Sequence, residues 1–248
     1  MTEFLDGPHG RLAYHRTEGQ GPGVVFLGGF RSDMQGTKAL WLEDWAKARG
    51  RAFLRFDYSG HGESDGAFEA GCIGDWLADA GAVIEGLTEG SQVLVGSSMG
   101  GWISLLVARS LPGRVAGLVT IAAAPDFTER GFWPEFTEAQ RMELMREGRL
   151  LRPSDFGEAY PITRRLIEDG RDHLVLSRPL ALPFPARFLQ GTADEDVPVE
   201  WATDLLAHAE GEDMRLTLVK GADHRFSTPE CLDLIGATLG EVLERAAG

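Results

Sequence analysis

Short apolar runs alternate with longer amphipathic segments along the chain, and the alternation predicts strands and helices in turn. Strands that alternate with helices favour one α/β domain over residues 1–248, with a mostly parallel sheet covered on both faces. The predicted strands are 24–28, 51–56, 92–96, 115–122, 186–190 and 214–219, with an antiparallel edge strand expected at 12–16. The predicted helices are 36–49, 72–87, 99–110, 200–209 and 232–245.

One segment breaks this alternation, between the strands predicted at 115–122 and 186–190. It has no clear strand pattern but has helical spacing over 137–147 and around 162–169. Because long structureless loops are unusual in compact domains, we expect a small helical lid at about 125–185, over the carboxyl ends of the strands. The side chains that could line an apolar pocket beneath it are Phe132, Trp133, Phe136 and Met145. Packing of the lid onto the core is the alternative interpretation for each of them.

Composition excludes several classes of function. The chain has 24 basic and 38 acidic side chains, a formal net charge of −14, so nucleic acid and anionic membranes are not expected partners. Its two cysteines, Cys72 and Cys231, form no metal-binding pattern, and they indicate a reducing compartment. The N-terminus has no signal-peptide pattern, and no apolar run reaches the roughly 18 residues of a membrane span. We expect a cytoplasmic protein without metal or organic cofactor, and the oligomeric state is left open.

The strongest local motif is G-S-S-M-G at residues 96–100, which matches G-x-S-x-G between a predicted strand and a predicted helix. In this motif the serine stands on a sharp turn, and the glycines two positions away let strand and helix approach closely. Ser98 has the correct register, whereas Ser97 would need a glycine where Val95 stands. The motif therefore predicts Ser98 as a nucleophile at a helix N-terminus.

A serine hydroxyl needs a base to become a nucleophile. Of the six histidines, His224 alone follows a late strand and precedes the final helix, so it should face the nucleophile across the sheet edge. The acid that orients it is expected in the turn at 191–196, where Asp194, the first acid, is favoured over Glu195 and Asp196. Asp126, after the preceding strand, is an alternative. The chain order Ser98, Asp194, His224 is the order of α/β-hydrolases.

Two backbone N–H groups are expected to stabilise the oxyanion of an acyl transfer. One belongs to Met99, directly after the nucleophile. We assign the other to Phe30 in the G-G-F-R stretch at 28–31, where Gly29 lets the loop approach the substrate. The D-Y-S-G-H-G stretch at 57–62 resembles a phosphate loop, but without a following lysine it is interpreted as a structural turn.

Several longer stretches carry a resemblance to a known family. LGGFRSDMQGTKA, RFDYSGHGESDG, LVGSSMGGW, GTADEDVPV and DHRFS resemble the alpha/beta-hydrolase domain-containing proteins described as mycophenolic acid acyl-glucuronide esterase and palmitoyl-protein thioesterase. The similarity runs from about Val24 to the last helix. It implies an α/β-hydrolase fold, with the family's nucleophile, acid and base on Ser98, Asp194 and His224.

The resemblance and the motifs together lead us to expect a serine hydrolase acting on a small-molecule ester or thioester. The same triad acting on another bond, by peptide or carbon–carbon cleavage or by perhydrolysis, is the first alternative, because a fold does not determine the substrate. A non-catalytic ligand-binding module is the second. Acyl chain length and the physiological substrate are not predicted.

Overall fold

Eight strands form a single sheet in the computed structural model, which describes residues 1–154 and 157–247. The strand order is β1-β2-β4-β3-β5-β6-β9-β10, in which the six strands from β4 to β10 are parallel and β1 and β2 form an antiparallel edge. The strands are β1 (Glu3–Gly7), β2 (Gly10–Thr17), β3 (Gln20–Leu27), β4 (Arg51–Phe56), β5 (Gln92–Ser97), β6 (Val115–Ile121), β9 (Ala186–Gly191) and β10 (Met214–Val219). The predicted mostly parallel sheet is confirmed.

Helices cover both faces of this sheet and divide the core into two clusters. Helices α1 and α8 pack on one face, and α2, α3 and α7 pack on the other. They are α1 (Thr37–Lys47), α2 (Ile73–Leu87), α3 (Met99–Ser110), α7 (Val199–His208) and α8 (Pro229–Ala246). Judged by length and apolar character together, no described helix could span a bilayer.

The apolar strands are buried because successive side chains point to opposite covered faces. In β3, Val24 and Phe26 belong to the cluster under α1 and α8, whereas Val25 and Leu27 belong to the opposite cluster. This arrangement explains why the central strands have continuous apolar runs. It also brings the carboxyl ends of the parallel strands to one edge, where the loops that carry Ser98 and His224 begin.

The observed bounds agree closely with the predicted ones for most elements, including β4, β10 and α3. The last helix begins earlier than predicted, at Pro229, because the Thr228 hydroxyl accepts the Cys231 N–H and caps it. The N-terminus also differs, since β2 pairs with an additional outer strand, β1. This strand was missed because it is short and exposed and lacks an alternating apolar pattern.

The lid segment, residues 122–185, contains the predicted helices and a two-stranded sheet that was not predicted. A π-helical turn (Thr128–Phe132) leads into α4 (Trp133–Glu135), followed by α5 (Glu138–Glu147), β7 (Arg149–Ser154), β8 (Gly157–Thr163) and α6 (Arg164–Asp172). The two predicted lid helices are present, but the segment also contains a strand pair that the prediction of a helical lid did not include. Pro153 and Pro161 lie within the hairpin strands, and prolines weaken a strand pattern because they cannot donate to a ladder. Ile162, expected in a helix, lies in strand β8, and Thr163 caps α6.

Candidate active site

Ser98 occupies a strained turn between β5 and α3. Its backbone angles, φ 54° and ψ −118°, lie in a region that side chains of L-residues rarely adopt. The turn depends on its two glycines. A Cβ atom on Gly100 would collide with the carbonyl of Leu27, and one on Gly96 would collide with the backbone of Gly100. The sequence motif thus corresponds to a real steric requirement.

Ser98, His224 and Asp194 form one hydrogen-bonded chain. The Ser98 hydroxyl lies 3.1 Å from Nε2 of His224, and Nδ1 of His224 lies 2.9 Å from Oδ2 of Asp194. A carboxylate cannot donate, so the geometry suits the tautomer in which Nδ1–H donates to Asp194 and Nε2 accepts the serine proton. The three side chains predicted from separate parts of the sequence therefore meet at one edge of the sheet.

The Asp194 carboxylate is held by further donors and its side chain is fully buried. Oδ1 accepts the N–H groups of Asp196 and Val197, and Oδ2 accepts Nε2–H of Gln190 at 2.9 Å. Burial by itself raises the pKa of Asp194. The hydrogen bond and positive charge of His224, together with the Val197 and Gln190 donors, outweigh burial and lower the pKa below its ordinary value. Asp194 is thus kept ionised beside the imidazole.

The competing acids have other surroundings. Glu195 and Asp196 are exposed. Asp126 is buried and accepts the N–H groups of Val175 at 2.8 Å and Leu176 at 3.0 Å, so it holds the chain where the lid segment returns to the sheet. Burial raises its pKa, although these two donors and nearby arginines oppose the rise. The contacts of Asp126 are therefore those of a residue that stabilises the backbone of the lid segment.

Metal-ligating side chains come together at one place in the described residues, where atoms of Asp194, Asp196 and His224 lie within 4.8 Å of one another. Two of the three belong to the hydrogen-bonded chain with Ser98. An ion bound by all three residues would use Nδ1 of His224 and the Asp194 carboxylate as ligands, and these atoms already share a hydrogen bond. The donor set thus overlaps with the triad.

The loop expected to supply an oxyanion donor lies against the nucleophile. The Gly29 position is so close to Ser98 that a Cβ atom there would lie 3.4 Å from the serine Cβ. In the described part of the chain, the N–H groups of Phe30 and Met99 donate to no acceptor. The N–H of Arg31, the residue after Phe30, donates to Nε2 of His61. Two unpaired donors beside Ser98 are the chemistry an oxyanion needs.

The structure separates the four lid side chains predicted to line a pocket. The Phe132 ring lies 5.9 Å from the Phe30 ring. Trp133 instead packs against the guanidinium groups of Arg141 and Arg171. Phe136 is buried in the core and Met145 is exposed. Phe132 thus lies beside the Phe30 loop, and the pocket roles of all four side chains stay predictions.

A groove of about 730 Å³ borders the loop that carries Phe30. Among its lining residues are Arg31, His61, Phe68 and Tyr160, so the groove lies between the turn after β4 and strand β8 of the lid segment. The Arg31 guanidinium stacks on the Tyr160 ring at 4.4 Å. Tyr160 was missed by sequence reasoning because its strand was not recognised.

Two further polar residues support the site and were also missed. Gln190 is fully buried at the end of β9, and a polar side chain interrupting an apolar strand could have indicated it. Lys38 of α1 donates from Nζ to the carbonyl of Arg225, directly after His224, at 2.5 Å. Burial lowers the pKa of Lys38 to about 8, although the charge of Asp223 opposes the shift. No local sequence pattern connects position 38 to position 225.

Known proteins resemble this chain over nearly its whole length. The sequence pattern of the Alpha/beta hydrolase family matches residues 24–233. The mitochondrial palmitoyl-protein thioesterase ABHD10 of Bos taurus is 35% identical over 98% of this chain and 80% of its own length. A hydrolase from Agrobacterium vitis S4 is 38% identical with a TM-score of 0.94, and mouse alpha/beta hydrolase domain-containing protein 10 is 32% identical with a TM-score of 0.91; each match covers 98% of both chains.

Proposed function

The chain belongs to the alpha/beta hydrolase family, and from this premise we propose that it cleaves carboxylic esters or acyl thioesters through an acyl-enzyme on Ser98. The observation that carries the proposal is the hydrogen-bonded chain from the Ser98 hydroxyl through His224 to a buried Asp194. Serine is inert without such a base, and the base needs an anion to stabilise the imidazolium that forms. No member of the triad is missing, which favours a catalyst over a binding module.

The proposed reaction has two acyl-transfer steps. Nε2 of His224 takes the Ser98 proton as Oγ attacks the carbonyl carbon, and the C–O or C–S bond to the leaving group then breaks as His224 returns the proton to it. Water then loses a proton to the same nitrogen and attacks the acyl carbon. The bond from that carbon to Oγ breaks, the acid leaves, and His224 returns the proton to Ser98. Asp194 remains ionised throughout and holds the imidazole in its reactive tautomer.

We assign the stabilisation of the negative charge that develops on the carbonyl oxygen to the N–H groups of Phe30 and Met99. Their lack of acceptors within the described residues supports this assignment. The strained turn at Ser98 begins α3, so the helix dipole also favours negative charge there. Each such donor typically contributes about 10²–10³-fold to turnover.

The substrate class rests on similarity and on the groove. The bovine relative is named a palmitoyl-protein thioesterase, which supports a thioester or ester bond to an acyl group. The groove beside the Phe30 loop combines aromatic walls, from Phe68 and Tyr160, with the exposed guanidinium of Arg31. We propose that one part of a small-molecule substrate lies in this groove while its carbonyl is held at Ser98.

The test compares wild-type protein with Ser98→Ala and with Ser97→Ala as the matched control, since the two serines are adjacent. We expect Ser98→Ala to lower kcat/KM by at least about 10⁴-fold on p-nitrophenyl esters and acyl thioesters. Ser97→Ala should retain activity within about 10-fold. A fluorophosphonate probe should label the wild type and Ser97→Ala but not Ser98→Ala.

The possible outcomes separate the alternatives. Undiminished hydrolysis by Ser98→Ala would show that the nucleophile is misassigned. Labelling of Ser98 without cleavage of any ester or thioester, but with cleavage of peptides or diketones, would keep the triad and overturn the substrate class. Absence of both labelling and turnover in folded wild-type protein would favour a binding module.

A further inference from the structure

His61, in the turn after β4, connects that turn to the loop that carries Phe30. Its Nε2 atom lies 3.3 Å from the backbone nitrogen of Arg31, and its Nδ1 atom lies 3.2 Å from the carbonyl oxygen of Ser59. His61 is 4% exposed, so both contacts are largely shielded from water. His61 is therefore a buried polar bridge between two loops at the carboxyl edge of the sheet.

The two partners of His61 determine its protonation. The Ser59 carbonyl can only accept, so Nδ1 must carry a proton, and the Arg31 N–H can only donate, so Nε2 must be bare. One neutral tautomer satisfies both. A second proton would place an N–H of the imidazolium against the N–H of Arg31 and break the bridge.

The Arg31 peptide needs such a constraint. Arg31 has φ 58°, in the left-handed region that residues other than glycine seldom adopt. His61 engages the Arg31 N–H, and among the described residues the preceding N–H, of Phe30, donates to no acceptor. The Phe30 ring is held as well, with its centroid 5.0 Å from that of Phe68 and 6.0 Å from that of Trp76.

We propose that His61 is a positioning residue for hydrolysis: as a neutral acceptor it fixes the Arg31 peptide and so aims the Phe30 N–H at the oxyanion. The proposal rests on the function proposed above, because it needs Ser98 to form a tetrahedral intermediate. It assigns a role to a histidine that sequence reasoning placed in a purely structural turn.

The surroundings of His61 favour the neutral form. The rings of Tyr58, Phe68 and Trp76 meet its imidazole edge to face, and Trp76 Nε1–H shares the Ser59 carbonyl. Asp79 of α2 is the nearby anion, but it already accepts the N–H and hydroxyl of Ser59. Burial lowers the pKa of His61, and the Ser59 carbonyl and Asp79 only partly oppose this. The bridge is therefore intact at neutral pH.

Two substitutions separate an acceptor role from simple packing. His61→Phe keeps an aromatic ring among its neighbours and removes the acceptor, whereas His61→Gln loses the ring but offers a side-chain oxygen to Arg31. We expect His61→Phe to lower kcat by about 10–10²-fold with KM changed by less than about 3-fold, because an oxyanion contact forms in the transition state. His61→Gln should recover most of kcat. The opposite ranking, with Phe near wild type and Gln impaired, overturns the proposal.

A measurement on the wild-type protein guards against a variant that does not fold. In ¹⁵N-histidine NMR, the His61 ring should be the Nδ1–H tautomer and stay neutral to a lower pH than an exposed histidine, whose pKa is about 6.5. An Nε2–H tautomer, or an imidazolium at neutral pH, overturns the proposal. The Ser98→Ala variant distinguishes the two hypotheses. If hydrolysis does not need Ser98, the proposed function fails. If hydrolysis needs Ser98 but is unchanged in His61→Phe, only the role of His61 is refuted.

Discussion

The loops at the carboxyl edge of the sheet and the lid segment face the same site but are held in different ways. At the edge, single atoms determine the geometry: Ser98 has a strained backbone, Gly100 leaves no room for a methyl group, and Asp194 accepts four hydrogen bonds, including that of His224. In the lid segment, several large side chains lie at or near the surface. Trp133 lies between two guanidinium groups, and Leu151 is 63% exposed. We therefore expect substitutions at the edge to affect chemistry most and substitutions in the lid segment to affect substrate binding most.

Asp194 and Asp126 both follow strands and have buried carboxylates, so substitutions at these two positions compare the edge directly with the lid segment. Asp194→Asn should lower kcat by about 10³–10⁴-fold with the fold intact, because an amide favours the wrong tautomer of His224. Asp126→Asn should instead cost about 1–2 kcal/mol of stability through one weakened backbone contact, with kcat within about 3-fold of wild type. Steady-state kinetics and urea unfolding of both variants test this. A large loss of kcat in Asp126→Asn would mean that the returning end of the lid segment takes part in the chemistry.

The steric origin of the Ser98 turn is tested by adding one methyl group. Gly100→Ala should lower the free energy of unfolding by more than about 3 kcal/mol or prevent soluble expression, since the collision is with the backbone of Leu27. Gly113→Ala is the control, because a Cβ atom there meets nothing within 4 Å. Urea unfolding measures both. Similar small effects in the two variants would show that the edge can adjust and is not sterically fixed.

Lys38 tests whether a half-buried cation holds the His224 loop. Its pKa of about 8 in the folded chain lies below the ordinary 10.5, so between these values the unfolded chain binds more protons and stability rises with pH. Relative to Lys38→Met, the wild type should therefore gain about 1–3 kcal/mol between pH 8 and pH 10.5. Paired urea unfolding curves measure this difference and cancel the titration of other groups. Parallel pH profiles would contradict a depressed pKa for Lys38.

The lid segment should produce the smallest and most selective effects. Tyr160→Ala removes a wall of the groove and the partner of the Arg31 guanidinium, and it should raise KM by about 3–10-fold with kcat within about 2-fold. Leu151→Ala, on the exposed surface of the neighbouring strand, is the control. Kinetics on short and long acyl esters test the pair. A fall in kcat with unchanged KM would mean that the lid segment also positions the Phe30 loop, and the proposed division between the two regions would fail.

The predicted cytoplasmic location stays a prediction, whereas the bovine and human relatives are named mitochondrial proteins.

The sequence by itself determined the parallel sheet, the turn at Ser98 and the region of the base. Each depends on local physics: continuous apolar strands, two obligatory small residues, and a histidine between a strand and a helix. It favoured Asp194 among three neighbouring acids without a decisive local reason. Burial of that side chain and its bond to His224 are long-range properties.

Only the tertiary structure decided how the site is supported and covered. The bonds from Lys38 to the His224 loop and from Arg31 to His61 join distant segments, so no pattern along the chain reveals them. The strand pair of the lid segment escaped prediction because its prolines weaken the strand pattern and, among the described residues, the two strands pair with each other and not with the main sheet. Phe132 and Phe136 are both phenylalanines in the same short stretch, yet Phe132 contacts the Phe30 ring and Phe136 is buried in the core. Tertiary packing, which the local sequence does not show, determines this difference.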